Sequence, residues 1–168
     1  FLDAFNYIGG NVLISGLDEK SLQGDKAYKE YFNILNNNEM PTIDISNTID
    51  LGPILFVMAA LLNGAKFTGI KRLRIKESDR LQAMYDELTK LGADIEIGDD
   101  YLIINGGKKL CGGYVDSHND HRIAMSLAVI CSVFGGVIEN AECVNKSYPL
   151  FFEDCEQLGI KIFKNGSV

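Results

Sequence analysis

Leu51-Gly52-Pro53-Ile54-Leu55-Phe56-Val57-Met58-Ala59-Ala60-Leu61-Leu62-Asn63-Gly64 is the stretch that decides how the rest of the chain is read. None of these residues is charged, so a helix here has no wet face and belongs in an interior. The apolar run is well short of the ~20 residues that cross a bilayer, so that interior is the protein's own. Asp50 precedes the run as its natural N-cap, Pro53 sits in the first turn, and Gly64 ends it.

Working outward from this helix, the same order of elements occurs three times, the pattern of an internal repeat. After Gly64, residues 65–70 read as a strand that runs into Lys71-Arg72-Leu73-Arg74-Ile75-Lys76-Glu77-Ser78-Asp79-Arg80-Leu81, a crowd of charges opening a second helix with Ser78 as N-cap. That helix is amphipathic: Leu81, Met84, Leu88 and Leu91 share one face, and Asp86 and Lys90 pair on the other. An earlier copy runs from an apolar helix at 1–8 through Gly9-Gly10, a strand at 11–14 and a turn at 21–25 to a helix at 26–35. Asp25 follows Gly10 by fifteen positions, as Asp79 follows Gly64. A later copy runs from an apolar helix at 123–134 through Gly135-Gly136, a strand at 137–139 and Lys146-Ser147-Tyr148 to a helix opened by Pro149. Copies two and three close alike, each passing from helix through Gly92 or Gly159 into an alternating strand, 94–97 or 160–163. The expected architecture is α/β (α+β), with three strand-bearing units around buried helices and repeats at about 1–46, 47–105 and 106–168. No linker divides them. Phe1 opens inside an apolar helix without a cap, which predicts a chain cut from something longer.

The composition narrows the function classes. A chain of 168 residues that is 46% hydrophobic can bury a sizeable core. A formal net charge of -7 disfavours nucleic acid or an anionic membrane as the main partner, which makes a local cluster of cations more telling. Cys111, Cys131, Cys143 and Cys155 form no CxxC pair and read as reduced core thiols of a cytoplasmic protein.

The chemistry gathers where polar junctions meet helix starts. At Lys76, Glu77 and Arg80, cations, backbone N-H groups and the positive end of a helix dipole point at one place, which makes an anion site; a solvated, salt-bridged helix start is the other reading. Asn119-Asp120-His121-Arg122 again falls directly before a buried helix, so packing fixes His121 and Arg122 on its first turn. His118 and His121, with Asp116 and Asp120, have a spacing too weak to imply a metal site. Lys146 stands before the third helix of this kind. Asp50, at the same rim, is a candidate proton acceptor as well as a cap. Lys76, Arg80, Arg122 and Lys146, beside Asp50, Glu77 and His121, suit a small polyanion undergoing proton-coupled chemistry.

Taken in order, Leu73 to Leu81, Asn119 to Met125 and Lys146-Ser147-Tyr148-Pro149 resemble the C-terminal signature of the 5-enolpyruvylshikimate-3-phosphate synthase family, and Ser21 to Asp25 and Asp44 to Pro53 are similar to its upstream motifs. The UDP-N-acetylglucosamine enolpyruvyl transferases share the fold, but the Lys-Glu-Ser-Asp-Arg and Asp-His-Arg pair points away from them. The resemblance implies an inside-out α/β barrel domain of three βαβαββ-type repeats. It also implies transfer of the enolpyruvyl group of phosphoenolpyruvate to the 5-hydroxyl of shikimate 3-phosphate, with release of phosphate and no metal or organic cofactor. Carried over motif by motif, Asp50 accepts the hydroxyl proton and Glu77 exchanges a proton with the methylene carbon of phosphoenolpyruvate. Lys76 touches shikimate 3-phosphate and shares the proton work. Arg80, Arg122 and Lys146 hold phosphoenolpyruvate, and His121 stands beside Glu77. The family has two such domains with the site between them, so the expected partner is a missing N-terminal domain, the full-length protein is expected to be a monomer, and this chain alone is expected to be inactive. A non-catalytic anion-binding module is the alternative from another class.

Overall fold

The computed structural model describes residues 1–18 and 21–164; residues 165–168, the end of the third expected repeat, lie outside the described residues. The helix that decided the reading is α2, Gly52–Leu61, preceded by a 3-10 turn, Ile49–Leu51. Its first nine residues are all buried. It packs on the other apolar helix, α4 (His121–Phe134), whose buried face runs from Ile123 to Ile130. Amphipathic α1 (Tyr28–Asn37) and α3 (Arg80–Lys90) lie against α2, each turning one apolar side inward. Phe56 of α2 meets Phe67 at 4.9 Å between ring centroids, joining helix to sheet.

The sheets share one arrangement in two places, the first of which spans the expected boundary between the first and second repeats. β1 (Thr42–Asp44) pairs parallel with β2 (Gly64–Thr68) across α2, and β5 (Gly113–Asp116) pairs parallel with β6 (Gly136–Glu139) across α4. Strand, buried helix, parallel strand is therefore the common unit. In the first sheet β2 also pairs antiparallel with β4 (Tyr101–Asn105), which pairs with β3 (Asp94–Ile97), giving the order β1-β2-β4-β3. In the second sheet β5 and β6 stand as a pair among the described residues. An open groove of about 1340 Å³ lies between β6 and the segment 158–164, the place that β4 takes between β2 and β3; Val137, Ile138, Phe152, Ile160 and Ile162 line it.

That difference explains two strands expected from the sequence and not formed. Residues 11–14 and 160–163 are irregular. A strand is stable only beside another. The sister of 11–14 is β2, held by β1 and β4, and the sister of 160–163 is β3, held by β4; neither segment has such a neighbour among the described residues. Leu13 is accordingly 93% exposed.

Smaller expectations shift for local reasons. The apolar start forms a 3-10 helix, Leu2–Tyr7, with Ala4 and Phe5 buried. The strand expected at 65–70 ends at Thr68, and Lys71–Ile75 forms a 3-10 turn. Asp100 accepts from the N-H groups of Ile70 and Lys71 at 2.9 and 3.1 Å, which bends the chain off the sheet, and Leu73 alone of the five turns inward. Asp79, not Ser78, caps α3, accepting from the Gln82 N-H at 2.9 Å. Asp86 bonds Gln82 and Lys90 bonds Glu87, so the expected Asp86–Lys90 pair is not made. The third copy's outer helix, α5, is Phe151–Gln157 and starts two residues after Pro149; a 3-10 helix, Ala141–Lys146, precedes it. All four cysteines are free: Cys143 and Cys155 are buried as expected, Cys131 is half-buried and Cys111 is exposed. No described helix is long and apolar enough to cross a membrane.

Gly64 sets the register of the first sheet. Its φ of +75° lies in the left-handed region, and an added Cβ would stand 2.5 Å from both the Gly106 nitrogen and the Ile104 oxygen. Gly64→Ala is expected to destabilise the chain by about 1–3 kcal/mol through backbone strain alone, read as a lower urea midpoint. An unchanged midpoint would show that the start of β2 can relax away from β4.

Candidate active site

The cluster is organised by one buried cation. Arg80, the first residue of α3, is 0% exposed. Its Nη1 donates to Asp50 Oδ1 at 2.8 Å, its Nη2 to Glu77 Oε2 at 2.6 Å, and its Nε to Asp120 Oδ2 at 2.7 Å. These acids come from three helix starts. Asp50 lies in the turn before α2, Glu77 just before α3, and Asp120 is the cap of α4. Asp50 therefore does not cap α2, as its position suggested; its carboxylate turns sideways to the cations.

The other cations are less enclosed. Lys76 Nζ lies 2.9 Å from Asp50 Oδ1. Arg122 Nη1 donates to the Asp50 backbone oxygen at 3.0 Å, and its guanidinium lies 3.5 Å from Asp25 Oδ2 and 4.0 Å from Asp50 Oδ2. His121, on the first turn of α4, is half-buried and feels the charges of Asp120, Arg122, Arg80 and Glu77. Lys146 stands apart at the end of its 3-10 helix, exposed and making no hydrogen bond or ion pair among the described residues. Six of the seven expected residues thus gather on one rim.

Two residues were missed. Asp120 is fully buried and accepts from Arg80, from Ser78 Oγ at 3.2 Å and from the Arg122 N-H at 2.9 Å. Its place directly before a buried helix was the signal that could have found it. Asp25, the sister of Asp79 in the first copy, pairs with Arg122 across 97 positions of sequence. Nothing local reveals that contact.

Electrostatics follow from the geometry. Burial pushes the Asp50 carboxyl up, but the Lys76 hydrogen bond and the charges of Arg122, Lys76 and Arg80 outweigh it and hold the group below the usual carboxylate range. Asp120 behaves likewise, with burial opposed and overcome by its bonds to Arg80, the Arg122 N-H and Ser78. Burial lowers the His121 imidazole from its ordinary value, which favours the neutral ring. The arrangement offers ionised acceptors, a neutral imidazole and cations held at helix starts: means to orient an anion and move a proton. Among the described residues no three His, Cys, Asp or Glu side chains cluster as metal ligands.

A sequence model of EPSP synthase (3-phosphoshikimate 1-carboxyvinyltransferase) matches residues 1–155. The chain belongs to the EPSP synthase family. It is 45% identical over 170 residues to 3-phosphoshikimate 1-carboxyvinyltransferase of Clostridium novyi (strain NT), covering 90% of this chain and 39% of that protein. It is 38% identical over 185 residues to that of Brachyspira hyodysenteriae, covering 96% and 43%. The solved EPSP synthase from Acinetobacter baumannii superposes with a TM-score of 0.64 at 38% identity, over 70% of this chain and 28% of that one. The chain therefore has the α/β enolpyruvyl transferase fold of the EPSP synthases and spans about two fifths of the length of the curated relatives it matches.

Arg80→Ala would leave Asp50, Glu77 and Asp120 facing one another without their shared cation. The expected loss is about 3–5 kcal/mol, the cost typical of orphaning buried charge, read by urea unfolding. A loss below about 1 kcal/mol would mean that water or Lys76 takes the vacated place. In a separate test, the His121 ring is expected to titrate below ~6.5 by NMR. Because the folded-state value is lowered, its contribution to stability is complete above that pH and is lost as the pH falls through the lowered value. A midpoint above the ordinary histidine value would place the ring under the control of Asp120 and Glu77 instead.

Proposed function

We propose that this chain is one domain of an enzyme that transfers the enolpyruvyl group of phosphoenolpyruvate to the 5-hydroxyl of shikimate 3-phosphate and releases phosphate, in the cytoplasm. One observation carries the reading: Asp50, Lys76, Glu77, Arg80, His121 and Arg122 meet at the starts of α2, α3 and α4 in a chain of the EPSP synthase family. In the addition step the 5-hydroxyl oxygen bonds to C2 of phosphoenolpyruvate, its proton passes to Asp50, and Glu77 delivers a proton to the C3 methylene. The tetrahedral product then expels phosphate as Glu77 takes a proton back from C3 and Asp50 passes the hydroxyl proton to the leaving phosphate, which returns both groups to their starting states. Lys76 contacts shikimate 3-phosphate and shares the proton work, Arg122 and Lys146 hold phosphoenolpyruvate, and His121 orients Glu77. Arg80, enclosed by carboxylates in this state, reaches phosphoenolpyruvate only as one of them turns away.

Charge counting supports a site completed by a second domain. Lys76, Arg80 and Arg122 face Asp25, Asp50, Glu77 and Asp120, so the cations are matched from within by four carboxyl groups, one more than they need, which leaves room for the proton that Glu77 delivers. Two phosphorylated substrates need further cations, and Lys146 supplies only one. A partner domain that contributes basic residues supplies the rest. As anions draw Lys76 from Asp50, the carboxyl loses the bond that holds it low and becomes the better base.

Two experiments test this. The chain alone is expected to release no phosphate from the two substrates, and to do so once mixed with the N-terminal domain of its parent; robust turnover by the 168 residues alone would overturn the two-domain reading. In the intact parent, Glu77→Gln is expected to lower kcat by about a hundredfold or more, as removal of an acid–base group does. The melting temperature should scarcely move, because Glu77 is half exposed and Arg80 keeps two other acids. A large drop in melting temperature would make Glu77 structural.

A further inference from the structure

Helix α3 carries a second buried polar side chain, which no step of the proposed reaction uses. Glu87 is 1% exposed and stands seven residues after Arg80, a spacing that returns a side chain to the same helix face about 10.5 Å further on. Both residues are spent on one short segment, the connection from β5 to α4. Arg80 grips its far end through Asp120. Glu87 grips its near end: Oε2 accepts from the Asp116 N-H at 3.1 Å, and Oε1 lies 2.8 Å from His118 Nε2, which carries the proton because an ionised carboxylate only accepts. Lys90, half exposed, covers both oxygens from the wet side at 2.8 and 2.9 Å.

The segment needs holding. His118 and Asn119 have φ of +52° and +56°, two successive residues in the left-handed region, which is uncommon for residues with side chains although His and Asn enter it more readily than most. Three local bonds help, from the His118 N-H to Asp116 Oδ1 at 2.9 Å, from the Asn119 N-H to Ser117 Oγ at 3.1 Å and from the Asp120 N-H to the Ser117 oxygen at 3.0 Å. Ser117 also donates to the Glu139 and Asn140 oxygens at 3.1 and 2.9 Å, which ties the segment to the end of β6. None of these bonds fixes the turn relative to α3. Beside the Arg80–Asp120 bonds at its far end, Glu87 is what ties the turn to that helix at its near end. The three residues that follow the turn are Asp120, His121 and Arg122.

We propose that Glu87, acting through His118, is a positioning residue for the candidate active site. It holds the left-handed turn in place on α3, and so sets where Asp120 meets Arg80 and where His121 and Arg122 point. The inference rests on the proposed function for its purpose, but its test does not. In the 168-residue chain, Glu87→Met keeps the bulk and removes the acceptor, whereas Glu87→Gln keeps an acceptor for one of the two N-H groups. Glu87→Met is expected to speed amide hydrogen exchange at residues 118–122 by about tenfold or more, with α2 amides unchanged, and to shift the His121 ring resonances. Glu87→Gln is expected to restore much of both. Exchange that rises uniformly across α2 and the turn would make Glu87 a stabilising residue only, and unchanged exchange with unchanged His121 resonances would remove it from any role in the turn; either result overturns the proposal. Neither readout involves substrate, so failure here is distinct from failure of the parent to release phosphate, which would overturn the reaction and not the positioning.

Discussion

The guanidinium of Arg80 is the constraint on which the rest of the site depends. A charge removed from water costs several kcal/mol unless its donors find acceptors, and Arg80 has no solvent to fall back on. Its partners, Asp50, Glu77 and Asp120, sit at the starts of α2, α3 and α4. Satisfying one side chain therefore fixes three helix ends relative to one another. Because α2 and α4 are apolar along most of their length, packing holds their bodies. The directional bonds at their polar ends add the orientation that the site needs.

The same arrangement explains why the resting site is not simply a pool of positive charge. A set of unpaired cations would bind anions of any kind and would repel one another across the rim. Here Lys76 is held by Asp50, and Arg122 is held by the Asp50 backbone oxygen with Asp25 nearby. An anion must exchange with these carboxylates, so affinity is traded for selection: a ligand succeeds only if it offers enough correctly spaced oxygens to replace several partners together.

Parts of this were legible in the sequence for definite reasons. Helices α2 and α4 announced themselves because a run without charge can only be interior, and the junction around Lys76 and Arg80 did so because a core has no use for that many ions. The irregular segments at 11–14 and 160–163 were misread because pairing is a property of two segments, and alternation within one says nothing about whether the other is there. The cap of α3 was displaced by one residue because Ser78 and Asp79 are both good caps, and the choice is made by Ser78 turning instead to Asp120 across 42 positions. Asp25 and Asp120 escaped notice as partners of arginine for the same reason: their contacts are long-range.

The two grips of α3 belong to one design constraint. The turn that leads into α4 runs through two left-handed residues, and a shift of that turn would carry Asp120 away from Arg80. That would cost more than one hydrogen bond, because Arg80 would be left with Asp50 and Glu77 on one side and no acceptor for Nε on the other. Ser117 ties the turn to the end of β6, so a tether at Asp120 alone would fix it to α3 at one point only. A second tether seven residues along the same helix face fixes it at two, which is a use for a buried carboxylate at position 87 in a helix face that packing alone would fill with leucine.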